Sequence, residues 1–189
     1  MDRRLLKEYI RSVIVEGYPG RKLRIFDFDD TLVKTRSMIY VTDSSGQAFS
    51  LTPGEFAVYE EKPGDKFDFS DFSRLADPQE IKWTVKILKS IVAKGSEVVI
   101  LTARAVEDPV HQFMDEIGLP RIEVIALADS NPQRKADYVA LRAAAGDLSL
   151  IEFFDDSAKN VAAVAALQRI FPDVKIIARQ VNHQSEDPV

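Results

Sequence analysis

Apolar and polar positions along the chain keep two different rhythms. From residue 79 onward, stretches with apolar residues three and four apart alternate with short runs of Val, Ile, Leu and Phe. Ile81, Val85, Leu88 and Val92 share one helical face and predict a helix over 79–94; further helices are predicted over 107–117, 133–145 and 158–170. Strands are predicted at 97–102, 122–127, 150–154 and 174–178, and upstream Leu23 to Phe26 makes one more buried run. Runs apolar on both faces, separated by amphipathic helices, argue for a parallel sheet covered on both sides. The expected fold is therefore α/β: a doubly wound, Rossmann-like domain around a five-stranded parallel sheet.

Residues 33–77 break this rhythm. Met38 to Thr42 and Gln47 to Leu51 predict two strands joined by the turn Asp43-Ser44-Ser45-Gly46. Thr52-Pro53 has the chemistry of a helix cap followed by proline at the first helical position, with a short helix through Tyr59. After Lys62-Pro63-Gly64-Asp65, the alternation from Phe67 to Phe72 predicts another short strand or extended arm. The segment is expected to be a flap or small cap, too small for a core of its own, inserted after the first strand of a single domain over 1–189. Residues 1–20 form an N-terminal unit in which Leu5, Leu6, Tyr9, Ile10, Val13 and Ile14 predict a basic amphipathic helix over 3–16. It either lies on the domain or docks a partner or an anionic surface. Residues 179–189 are polar and read as a frayed tail.

Composition narrows the chemistry. The net charge of -5 gives no global footprint for nucleic acid, though a local basic groove is compatible with it. With no cysteine, disulfides, zinc-thiolate sites and cysteine nucleophiles are excluded. No apolar stretch approaches the about 20 residues needed to cross a bilayer, and a signal-peptide core is lacking at the N-terminus. A cytoplasmic location without membrane partners is the expectation.

The concentrated signal is Ile25-Phe26-Asp27-Phe28-Asp29-Asp30-Thr31-Leu32. An apolar run ending in three carboxylates within four positions needs a cation or a proton between them. In open parallel sheets ligands bind beyond the carboxyl ends of strands, which makes strand-terminal polar residues the candidates: Asp27, Thr102, and Asp155 with Asp156. Lys135 lies near the start of the helix before the fourth strand. Singly each has a bland explanation: a lysine on a helix is ordinarily solvated, and aspartate after a strand is ordinarily a cap. Together, Asp-x-Asp-x-Thr, Thr, Lys and Asp-Asp in this order resemble the haloacid dehalogenase superfamily of aspartate-nucleophile phosphohydrolases, over about Leu23 to Ala178. The short insert and the Thr102-Ala103-Arg104 stretch look like its small-capped members, which include polynucleotide-end phosphatases and phosphoprotein phosphatases.

The resemblance implies a Mg2+-dependent phosphomonoester hydrolase that passes through an aspartyl-phosphate. Asp27 would be the nucleophile, Asp29 would move the proton, and Thr102 and Lys135 would hold the phosphoryl oxygens. Asp27, the Asp29 carbonyl and Asp155 would hold the metal, with Asp156 either direct or through water. Thr31 and Arg104 are placed on the substrate side; Arg104 has two readings, a second phosphate or the acidic loop. Asp30 is expected in support, Asn160 as a loop-anchoring amide, and His111 and His183 outside the site. Phe67, Phe69 and Phe72 either line a base-stacking surface or pack the insert. The expected partner is a phosphorylated substrate, with a nucleotide or nucleic-acid end as candidate; the rivals are a small-metabolite or sugar phosphatase and a non-catalytic binding or assembly module.

Overall fold

The computed structural model describes residues 20–182, so the helix expected over 3–16, its docking role and His183 lie outside the described residues. The central sheet has five strands, β1 (Arg21–Phe26), β7 (Glu97–Thr102), β8 (Glu123–Ala126), β9 (Leu148–Asp155) and β10 (Lys175–Gln180). They lie in the order β10-β9-β1-β7-β8, and every pairing is parallel. The chain winds outward from β1 to β8, returns to place β9 on the other side of β1, and winds outward again. This is the doubly wound arrangement, with its switch point between the carboxyl ends of β1 and β9.

Alternation along β1 sends Phe26 to one face and Leu23 and Ile25 to the other. The first face packs with Leu88 of α2 (Lys82–Ala93) and Phe113 of α3 (Asp108–Glu116). The second packs with Val139 of α4 (Pro132–Ala144) and Val164 of α5 (Ala158–Ala166). Phe26 and Phe154 stack across neighbouring strands with centroids 4.5 Å apart. Fully burying one such side chain is worth about 1.5–3 kcal/mol, so the two faces together hold the sheet that carries the site.

The insert leaves and rejoins the body through a two-stranded antiparallel stem, β2 (Val33–Lys34) on β6 (Gln79–Glu80). Above it, β3 (Ile39–Thr42) pairs antiparallel with β4 (Ala48–Leu51) and with β5 (Lys66–Asp68). The hairpin turn closes as expected: the Asp43 carboxylate accepts from the Ser45 and Gln47 N–H groups, and Gly46 takes φ +86°. Helix α1 (Pro53–Val58) starts on a reciprocal cap in which Thr52 Oγ1 accepts from Glu55 N–H and the Glu55 carboxylate accepts from Thr52 N–H.

Four expectations change. The insert has a small core after all, Ile39, Val41 and Phe72, with Phe49, Leu51, Phe56 and Phe67 packed around it. The Phe67–Phe72 segment is divided between β5 and a 3-10 turn at Ser70–Ser73. Residues 79 and 80 belong to the stem and not to the following helix, because their backbone pairs with Val33 and Lys34. The tail does not begin at residue 179: β10 runs to Gln180 and Val181 is 2% exposed, its N–H donating to the Asp155 carbonyl at 2.9 Å. No helix among the described residues is long and apolar enough to cross a membrane.

Candidate active site

Each strand that meets the switch point delivers one side chain. Asp27 follows β1, and its N–H donates to the Phe154 carbonyl at 2.8 Å, which fixes it beside the end of β9. Asp155 closes β9. Lys135 sits on the first turn of α4, which Asn131 caps by accepting from Gln133 N–H at 3.0 Å, with Pro132 at the first position. Instead of pointing to solvent, Lys135 is buried at 4% exposure, and its Nζ donates to Asp27 Oδ1 at 2.6 Å and Asp155 Oδ2 at 2.8 Å.

The two aspartates after β9 differ. Asp155 is fully buried, and besides Lys135 its oxygens accept from Ser157 N–H at 2.9 Å and from Asn160 Nδ2 at 2.9 and 3.1 Å. Asp156 lines the cavity, and among the described residues no hydrogen bond reaches its carboxylate. Oxygens of Asp27, Asp155 and Asp156 can all lie within 4.8 Å of one another. Burial pushes the Asp27 carboxyl up to about 7, helped by the charges of Asp155 and Asp29 and opposed by Lys135. Burial pushes Asp156 up to about 8, with Asp27 and Asp155 adding to it. Burial by itself would lower Lys135, but the Asp155 and Asp27 carboxylates outweigh it and raise the ammonium above its usual range. Three carboxylates against one ammonium leave the cluster short of positive charge. Clustered hard oxygens of this kind suit a hard divalent cation such as Mg2+.

Three expected residues are less exposed to a substrate. Thr102 is 1% exposed at the end of β7, and its hydroxyl accepts from Arg104 N–H at 3.1 Å. Thr31 is fully buried, its hydroxyl accepting from Asp156 N–H at 3.1 Å, so it braces the loop between the two strand ends and does not line the cavity. Arg104 borders the cavity but spends its guanidinium on the acidic loop: Nε and Nη2 donate to the two oxygens of Asp29 at 2.8 and 2.7 Å. Asp30 occupies the left-handed region with φ 53°, its N–H donating to the Val33 carbonyl at 2.8 Å. His111 lies 3.8 Å from Glu107, away from the cluster.

Above the charges opens a cavity of about 800 Å³ whose far wall belongs to the insert. Phe56, Tyr59, Phe67, Phe69 and Phe72 line it. Their rings also pack edge-on against each other, Phe56 to Phe69 at 5.5 Å and Phe69 to Phe72 at 6.2 Å, so the same aromatics pack the insert and line the cavity. Phe56, Tyr59, Ser157 and Lys159 also line this cavity, and their spacing along the chain does not place them there. The Ser157 position, just before an apolar helical period, was the one available signal.

The architecture is thus a doubly wound α/β domain with an acid-lysine cluster at its switch point and an aromatic insert facing it. No protein-family model matches the chain, and no curated protein matches it. Among solved structures it is similar to the catalytic domain of the CPx-ATPase CopB-B, described for its conformational changes upon nucleotide binding. That likeness has a TM-score of 0.34 at 19% identity, covering 85% of this chain and 56% of that one, so the chain spans little more than half of that domain. A likeness of this size assigns no activity.

Proposed function

We propose that the protein is a Mg2+-dependent phosphomonoester hydrolase of the haloacid dehalogenase type, working through an aspartyl-phosphate at Asp27. The observation that carries this reading is the cluster itself: Lys135 bridges Asp27 and Asp155 at 2.6 and 2.8 Å, at the switch point, on the floor of an 800 Å³ cavity. A scaffold has no physical need for buried, mutually repelling carboxylates, which speaks against a non-catalytic module.

In the first half-reaction an Asp27 oxygen forms a bond to phosphorus while the bond to the ester oxygen breaks, and Asp29 gives that oxygen a proton. In the second, a water oxygen bonds to phosphorus, its proton passes to Asp29, and the bond between phosphorus and Asp27 breaks to release inorganic phosphate. Lys135 offers a fixed positive charge to the phosphoryl oxygens, and the Thr102 hydroxyl a hydrogen bond. Asp27, Asp155 and Asp156, with the Asp29 carbonyl, would hold the Mg2+, which offsets the negative charge of cluster and substrate. Asp155 already accepts from three groups, which favours Asp156 as the more available ligand.

The aromatic wall supports a leaving group with a planar ring, so a nucleotide or a nucleic-acid end is the preferred substrate over a sugar phosphate. A cytoplasmic setting fits such a substrate, and residues 3–16 remain the candidate docking segment for a partner. The test is Mg2+-dependent phosphate release from an end-phosphorylated oligonucleotide, a mononucleotide and a sugar phosphate, compared as initial rates. A clear preference for the sugar ends the aromatic-substrate reading; no Mg2+-dependent release from any of them ends the hydrolase reading.

A further inference from the structure

Arg104 joins parts of the molecule that are distant in sequence. Its side chain is 1% exposed, and beyond the fork onto Asp29 its Nη1 donates to the backbone carbonyls of Phe72 at 2.8 Å and Arg74 at 3.2 Å. The guanidinium lies 5.2 Å from the Phe28 ring centroid and 5.0 Å from that of Phe72. One planar, rigid group is therefore held between a ring of the catalytic body and a ring of the insert, with Asp29 on one edge and insert backbone on another. Its own N–H is tied to Thr102.

We infer that Arg104 is a positioning residue that aims Asp29 at the leaving oxygen and couples this aim to the seating of the insert. The inference rests on the phosphohydrolase reading above. A bidentate fork takes one lone pair on each Asp29 oxygen and leaves others for a proton exchanged with substrate or water. It also removes the rotational freedom of that carboxylate, and small misplacements of a reacting group are costly. Phe72 lines the cavity, so a leaving group packed against it presses on the same assembly that holds Asp29. The insert thus contributes to proton transfer as well as to enclosure.

The test compares two esters of similar size, 4-nitrophenyl phosphate, whose leaving oxygen needs little protonation, and benzyl phosphate, whose alkoxide needs a proton. In Arg104→Lys and Arg104→Gln, kcat/KM for the benzyl ester should fall about 10-fold or more beyond the fall for the nitrophenyl ester, a part of the usual worth of a general acid. Arg104→Gln should also speed tryptic cleavage within the insert, while Arg104→Lys, which keeps the charge, guards against simple loss of the fold. Equal losses on the two esters, or an insert as resistant to trypsin as in the wild type, overturn the inference. Absence of Mg2+-dependent turnover of both esters by the wild type sinks the hydrolase reading and this role with it; turnover with equal losses in the variants sinks this role alone.

Discussion

Midway along β1 and β9, Arg24 and Glu152 pair across the sheet at 3.0 Å, and Arg179 from β10 meets the other Glu152 oxygen at 3.3 Å. At the carboxyl ends of the same two strands, Asp27 and Asp155 share Lys135 and lie beside Asp156. Both clusters are buried and both are ionic. In the first, each carboxylate oxygen has a cationic donor, whereas in the second carboxylates outnumber the ammonium and two of them, Asp27 and Asp156, face a cavity. Burial of charge is thus a poor marker of function by itself; burial without balance, next to open space, is the informative condition.

The largest expected effect separates the clusters by activity. Asp27→Asn should lower Mg2+-dependent phosphate release by about 10⁴-fold or more while leaving the protein folded, with a thermal unfolding transition no lower than that of the wild type. Full retention of turnover would remove Asp27 as nucleophile. The reciprocal change, Glu152→Ala, strands buried arginine and should cost about 3–5 kcal/mol in denaturant unfolding, with specific activity of the folded protein unchanged. A loss of activity at constant stability there would erase the distinction.

The third effect follows from protonation. Asp27 and Asp156 have folded-state values raised to about 7 and 8 from 3.8, so between those limits the native state binds more protons than the unfolded one. Stability of the metal-free protein should then be fullest below pH 4 with respect to these groups and decline as pH rises through 7 and 8. Mg2+ should reverse the decline, adding about 2.7 kcal/mol at a concentration 100 times its Kd. Unfolding scans in chelator and in Mg2+ across pH 5 to 8.5 check this; a metal-free protein that becomes more stable toward pH 8 contradicts it. Smallest, Asp156→Asn should raise metal-free stability at pH 8 by about 1 kcal/mol while shrinking the Mg2+ shift, a gain expected where function holds charge in place. A lowered metal-free stability would assign Asp156 to structure instead.

Much of this frame was legible along the chain. The apolar runs ending at Phe26, Thr102 and Phe154 set strand ends, and strand ends in a parallel sheet are where ligands bind, so the residues of the cluster could be collected before their contacts were known. What spacing does not encode is the direction of a side chain across loops. Arg104 and Asp29 are 75 positions apart, and nothing local distinguishes an arginine reaching for phosphate from one reaching for an aspartate. The division between Asp155 and Asp156 is likewise a matter of one residue's twist at a strand end. Gln79 and Glu80 look like the start of a helix until Val33 and Lys34 are brought alongside, where pairing overrides local preference.

That short stem has an evolutionary meaning. Lys34 and Gln79 are directly opposed in an antiparallel ladder, so the two ends of the insert leave the body about 5 Å apart. Everything between them can be lengthened, replaced or reduced to a tight turn without cutting a strand of the parallel sheet. The body and the insert can therefore change separately, provided that a replacement insert presents two backbone carbonyls to Arg104 as Phe72 and Arg74 do.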